Sequence, residues 1–198
     1  MSKLTLTLSI SLCSLLIISC SKEESQEQKG LSGNYKFISA EAHIVSTTEA
    51  GSGPDNEKAI TYTDYITKNN SGILLFSGGN INSLNFSFSV DTTIKTFFYS
   101  NNVLLDSIEM PFQVTMPPSN TTSTYKMITS DSIYVNGGFG SIGNGPQQQT
   151  VPSGGKLKFD GNMLNMTFKG IQSSSQIEQG QTILMKATMN AKYTFQKM

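Results

Sequence analysis

The sequence predicts an all-β domain folded as a single antiparallel β-barrel, with a β-sandwich as the alternative. Three observations lead there. Near the C-terminus Ile183, Met185, Ala187, Met189, Ala191, Tyr193 and Phe195 alternate with Leu184, Lys186, Thr188, Asn190, Lys192, Thr194 and Gln196, the period of a strand with one buried face. Short connections rich in Gly, Asn, Ser and Asp recur along the chain, as between antiparallel strands. No stretch reads as a long amphipathic helix.

Taken in order, the first strand covers Tyr35 to Val45, followed by Ile60 to Thr67 and Ile73 to Phe76. Leu84, Phe86, Phe88 and Val90 alternate with Asn85, Ser87, Ser89 and Asp91, and Phe112, Val114 and Met116 keep the same period. Between and after them come Ile94 to Tyr99, Val103 to Ile108, Thr124 to Ile128, Ser132 to Val135, Leu157 to Asp160, and Met163 to Phe168. Asp160-Gly161-Asn162 reads as a tight hairpin, while Asn69-Asn70-Ser71-Gly72, Ser77-Gly78-Gly79-Asn80 and Asn101-Asn102 suit turns with positive φ. About ten closely spaced strands argue one barrel or sandwich and no second domain. Two stretches read as loops: 47–57, and 136–155 with its glycines, Pro146, Pro152 and Gln147-Gln148-Gln149.

Composition narrows the function. Of 198 residues 37% are hydrophobic and only 14% charged, while Ser, Thr and Asn make up nearly a third. All 14 basic residues are lysines, balanced by 14 acids. With no arginine fork and no net charge, nucleic acid is excluded as a partner. One His and two Cys leave no metal site, no cofactor and no catalytic residue in view. His43 reads as a surface or satisfied strand residue, and no Gly-x-Ser-x-Gly elbow is present. Asp55, Glu57 and Asp64 lack the spacing of a calcium loop. The glycine run 137–143 is followed by neither a helix pattern nor the lysine a phosphate loop requires.

Residues 1–19 read as a signal peptide, with Lys3 ahead of an uncharged apolar run too short to span a bilayer. The run ends in Leu16-Ile17-Ile18-Ser19-Cys20, which resembles the lipobox of bacterial lipoproteins. That resemblance implies cleavage before Cys20, acylation of its thiol and amino group, and attachment to the outer membrane through the N-terminal lipid. Cys13 would leave with the signal, so no thiol would remain for a disulfide. Residues 20–30 form a polar tether. Within it Lys22-Glu23-Glu24 resembles the signal that sends Bacteroidetes lipoproteins to the outer leaflet, and equally fits a solvated linker.

The β domain, residues 31–198, opens with Leu31-Ser32-Gly33-Asn34-Tyr35-Lys36-Phe37, which resembles the Gly-x-Trp opening strand of lipocalin-like domains, with Tyr in place of Trp. The hairpin around Asp160-Gly161-Asn162 and the closing strand ending Tyr193-Thr194-Phe195-Gln196-Lys197 are similar to that family; the absent Arg and the absent C-terminal helix depart from it. The resemblance implies a monomeric, non-catalytic barrel binding a small apolar or amphipathic ligand. Phe86, Phe88, Met166, Met185, Met189 and Tyr193 are the candidate cavity lining, since Met adapts to varied apolar partners; the same side chains also suit a packed core. The alternative is a surface glycan-binding or adhesion sandwich using Tyr62, Tyr65 and Tyr99. Thr92, Ser107 and Ser132 each follow an Asp and precede Thr or Ile, resembling sites of O-glycan attachment in exported Bacteroidetes proteins; an Asp opening a strand gives the same pattern.

Overall fold

The computed structural model describes residues 31–51, 56–136, 153–178 and 180–198, in which every regular element is a β-strand. In chain order these are β1 (Gly33–Ala50), β2 (Glu57–Ile66), β3 (Lys68–Ser77), β4 (Asn80–Ser100), β5 (Val103–Thr129), β6 (Ser132–Asn136), β7 (Ser153–Asp160), β8 (Met163–Glu178) and β9 (Gln181–Lys197). All belong to one antiparallel sheet. It closes into a ring where β1 pairs with β9, from Tyr35↔Lys197 to Ala50↔Ile183. A sandwich has no such seam, so the barrel expectation holds.

β2 and β3 lie along a single line. Both pair with β4 in one register, Glu57↔Ser100 at one end and Ser77↔Asn80 at the other. The nine strands therefore fill eight places, a circumference whose interior side chains alone can fill or which can hold one small ligand. The interruption is a hydrogen-bonded corner. The Ala40 N–H donates to Thr67 Oγ1 at 2.8 Å, the Thr67 N–H donates back to the Ala40 carbonyl at 2.9 Å, and the Asn70 amide donates to the Ile38 carbonyl at 2.8 Å. The irregular register of β1 between Phe37 and Ser39 thus faces the irregular register of β3 between Lys68 and Ile73, and the wall bends there.

Below that corner the interior is filled. Tyr35, Phe37 and Ala40 of β1, Leu74 and Phe76 of β3, Ile81 and Phe86 of β4, Leu164, Met166 and Phe168 of β8 and Phe195 of β9 form one buried cluster with Tyr125, Ile133, Val135 and Leu157. Phe37 stacks on Phe86 with ring centroids 4.2 Å apart, and Phe195 tilts against it at 5.7 Å. Each such ring contributes about 2–3 kcal/mol by leaving water. Tyr35 and Tyr125 both meet Phe76 edge-on, and the Tyr125 hydroxyl donates to the Leu31 carbonyl at 2.7 Å. The opening-strand aromatic therefore sits inside this plugged end. Gly155 faces Phe168 across β7 and β8, where a Cβ would stand 2.5 Å from the Phe168 ring; without one, the ring lies across the strand.

The outer face carries the charges. Lys36, Glu41, His43, Lys169 and Lys192 occupy outward positions and are exposed. Apolar side chains stand outward and exposed as well, Tyr62 and Ile66 on β2, Ile171 and Ile177 on β8 and Leu184 on β9.

Above the corner the ring is incomplete among the described residues. β6 and β7 are short, β5 meets β6 only at its far end, and β8 meets β7 only over its first residues. The stretches 103–123 of β5 and 169–178 of β8 thus have one edge without a strand partner among the described residues. Pro111, Pro117 and Pro118 all lie on that stretch of β5, Pro117 and Pro118 where the β4–β5 register is irregular between Phe86↔Ser119 and Phe88↔Met116. The pieces expected at 84–90 and 94–99 accordingly merge into β4, and those at 103–108, 112–116 and 124–128 into β5. The expected loops also shrink: 47–50 belong to β1, Glu57 begins β2, and Ser153 begins β7. Residues 137–152 lie outside the described residues.

Candidate functional site

Strand register decides which side chains face the interior above the plug. Val90 of β4 is buried and pairs with Val114 of β5. Continuing upward in steps of two, Thr92 pairs with Phe112, Ile94 with Met110, and Thr96 with Ile108, all on the same face. Across β1, Ile44 pairs with Thr63 and Met189, Ser46 with Thr61 and Ala187, and Thr48 with Ala59 and Met185. These positions line a cup open on one side, between β5 and β8.

Among the described residues the β4 and β5 side of the cup is apolar and uncovered. Phe98, Ile108, Met110 and Phe112 all point inward, yet remain 37%, 38%, 47% and 36% exposed. Beside the β5 side chains, across β4, β2 and β1, runs a hydroxyl stripe of Ser46, Thr48, Thr61, Thr63 and Thr96, in which Thr61 and Thr96 share a hydrogen bond of 3.0 Å. The floor is formed by Phe88 and Tyr193, both partly buried against the plug, with Tyr65 beside them. Burial pushes the Tyr193 hydroxyl well above a tyrosine's ordinary value of 10.0, and the neighbouring Tyr65 adds to the shift. Tyr65 itself is raised by burial.

These shifts set an alkaline limit. The folded state holds the Tyr193 proton more tightly than the unfolded chain does, so this contribution is complete below pH 10 and declines as pH rises past it. Tyr193→Phe is expected to flatten the fall in denaturation midpoint between about pH 9 and pH 11 relative to the parent protein; an unchanged slope would contradict this.

The residues expected to line a cavity divide between two places. Phe86 and Met166 are wholly buried within the plug. Phe88 and Tyr193 form the floor, and Met185 and Met189 face the cup from β9. Phe98, Ile108 and Met110 complete the cup; their sequence signal was only the strand pattern of Ile94 to Tyr99 and Val103 to Ile108. Of the three tyrosines, Tyr62 and Tyr99 stand on outward positions, Tyr62 edge-on to Phe97 at 5.8 Å, while Tyr65 turns inward. Among the glycan candidates Ser107 is exposed, the Thr92 hydroxyl donates to the Asp64 carbonyl at 2.5 Å, and Ser132 shares a hydrogen bond with Thr129. Cys20 lies outside the described residues, as does Asp55.

A second concavity of about 690 Å³ lies on the outer wall. Two exposed ion pairs border it, Lys68 with Asp91 at 3.3 Å and Lys192 with Glu41 at 3.3 Å, together with a hydrogen bond between His43 Nδ1 and Asp64 Oδ1 at 2.5 Å. Hydrogen bonds from Gln113 and Lys68 hold the Asp91 carboxyl below its ordinary value. Beside this groove the Thr92 hydroxyl donates to the Asp64 carbonyl. Among the described residues no three His, Cys, Asp or Glu side chains are placed to hold a metal.

No family model matches the chain. No curated protein resembles it in sequence. Among solved structures it is similar to Ail, the attachment invasion locus protein of Yersinia pestis, at 8% identity and a TM-score of 0.18, over 83% of this chain and 100% of that one. At that score the likeness carries no argument about function.

Proposed function

We propose that this protein is a lipid-anchored barrel of the bacterial outer membrane that holds a small apolar or amphipathic ligand in its open half, without catalysis. One observation carries the reading: Phe98, Ile108, Met110 and Phe112 face the interior and are not covered by the described residues. Apolar surface of that kind, concave and rimmed by polar groups, is what ligand sites are built from. The lysines and carboxylates spread over the outer face support attachment through a lipid on Cys20. A fully packed lower half gives the open half a rigid base, since the plug draws side chains from every strand but β2.

Native mass spectrometry of the protein released from its own membrane tests both parts in one spectrum. The expected result is acyl mass on the peptide that begins at Cys20, together with a retained small molecule that Phe112→Lys protein loses while keeping its acyl mass. An unmodified Cys20 would overturn the anchor, and an empty cup in the parent protein would overturn the carrier.

A glycan-binding surface is the second reading, favoured by the outer groove, where Asn190, Thr167 and the paired charges present hydrogen-bonding groups in an open trough. Binding of soluble saccharide that His43→Ala and Asn190→Ala both weaken, with the cup empty, would favour it.

A further inference from the structure

The open half separates charge from its interior with few exceptions. On β1, β2, β4, β5, β8 and β9 the residues Glu41, His43, Glu49, Lys58, Asp64, Asp91, Lys95, Glu109, Lys169, Lys186 and Lys192 all occupy outward positions in the paired registers. The inward positions at the same levels are Ala, Ile, Val, Met, Phe, Tyr, Ser, Thr, Gly and Gln. Carboxylates take inward positions only at the rim, at Glu57, Asp106 and Glu178, each near an end of its strand. No lysine stands on the inward face of the cup among the described residues.

We propose that the cup selects an uncharged amphiphile, a long-chain molecule whose polar part is a hydroxyl, ester or ketone, and discriminates against carboxylates. This rests on the carrier reading above. An ionised head group drawn into the cup would leave water without meeting an opposite charge, a large penalty, and would pass the rim carboxylates on the way. A neutral oxygen meets suitable partners instead. Ser46, Thr48, Thr61 and Thr63 offer hydroxyls along one wall, and Tyr65 stands at the floor, its burial keeping the proton on its oxygen. The apolar chain lies against Met110, Phe112, Met185 and Met189, whose thioethers and rings adapt to its shape. The hydroxyls of β1 and β2 thus run between the methionines of β9 and the apolar side chains of β4 and β5, so the oxygen and the chain of one molecule both meet suitable partners.

The test uses the mature lipidated protein in nanodiscs of neutral lipid, with empty nanodiscs subtracted. The probes are cis-parinaric acid and its methyl ester, titrated at about pH 8 and followed by probe fluorescence. The expected result is an ester affinity at least about tenfold above that of the acid. Gln172 is exposed on an inward position of β8, level with Ala187; Gln172→Lys should narrow or reverse the preference, whereas Ile171→Lys, one residue along and outward, should leave it unchanged. Equal affinities, or a tighter acid, in the parent protein overturn the proposal while leaving a carrier. Failure of both probes to bind overturns the carrier reading itself. Because the decisive comparison uses the parent protein, it stands even where a variant does not fold.

Discussion

Phe37→Ala is expected to lower the free energy of unfolding by about 3–5 kcal/mol. The side chain is 1% exposed and is the hub of the plug, touching Phe86, Phe88 and Phe195 from other strands of the ring. Those rings come from strands held rigidly by their own ladders, so the space left behind has little means of collapsing, which puts the loss toward the upper end of that range. Urea denaturation checks it, with Phe159→Ala as the comparison. Phe159 is also inward by register but 51% exposed at the end of the ring, and its truncation should cost under about 1 kcal/mol. Similar losses at the two positions would show that the plug is not the stabilising unit.

The second large effect is expected at Gly72, where replacement by Ala should destabilise by about 2–5 kcal/mol. Two independent reasons add. Gly72 has φ of +117°, a conformation that L side chains rarely adopt, and a Cβ there would stand 2.7 Å from the Phe86 Cα. The obstruction is backbone, so no side chain can rotate away, and displacing β4 at Phe86 would disturb the stack on Phe37. Gly78 supplies the contrast. Its φ is +56°, but nothing lies within 4 Å of the place a Cβ would take, so Gly78→Ala should show only the conformational penalty, about 1 kcal/mol. Equal denaturation midpoints for the two variants would refute the close approach of β3 to β4.

The closing strand was fully legible, because strict alternation over 183–196 meets no irregularity and every residue assigned inward lies inward. β4 was only partly legible. Ile81 and Ser83 face inward at odd positions, but the shift near Asn85, whose φ is +51°, moves the inward set to Phe86, Phe88 and Val90. An added residue of this kind reverses the alternation, and nothing in a local pattern announces it. The cup suffered for the same reason. Phe97 and Phe98 are adjacent and equally apolar, and only the pairing of Phe98 with Asp106 and of Phe97 with Ser107 says which faces inward. The length of β5 was out of reach as well: the separate stretches 103–108, 112–116 and 124–128 are one strand that runs through Pro111, Pro117 and Pro118. The paired charges of the outer groove were likewise out of reach, since Glu41 and Lys192 lie near opposite ends of the domain sequence and meet only through the seam.

That seam bears on how quickly the molecule can form. β1 and β9 stand at the two ends of the domain, so their ladder is made of contacts as distant along the chain as any it contains, with Met198 donating to the Asn34 carbonyl at 3.0 Å. Hairpins such as β3 with β4 and β8 with β9 need only close a turn, while the seam must confine nearly the whole intervening polypeptide before its first hydrogen bond is rewarded. Such topologies mature in milliseconds to seconds, not microseconds. Until then the plug has no final wall, and Phe37 and Phe195, contributed by the two strands of the seam, remain accessible to water and to other chains. The slowest event in building the barrel is therefore also the one that hides its most adhesive surface.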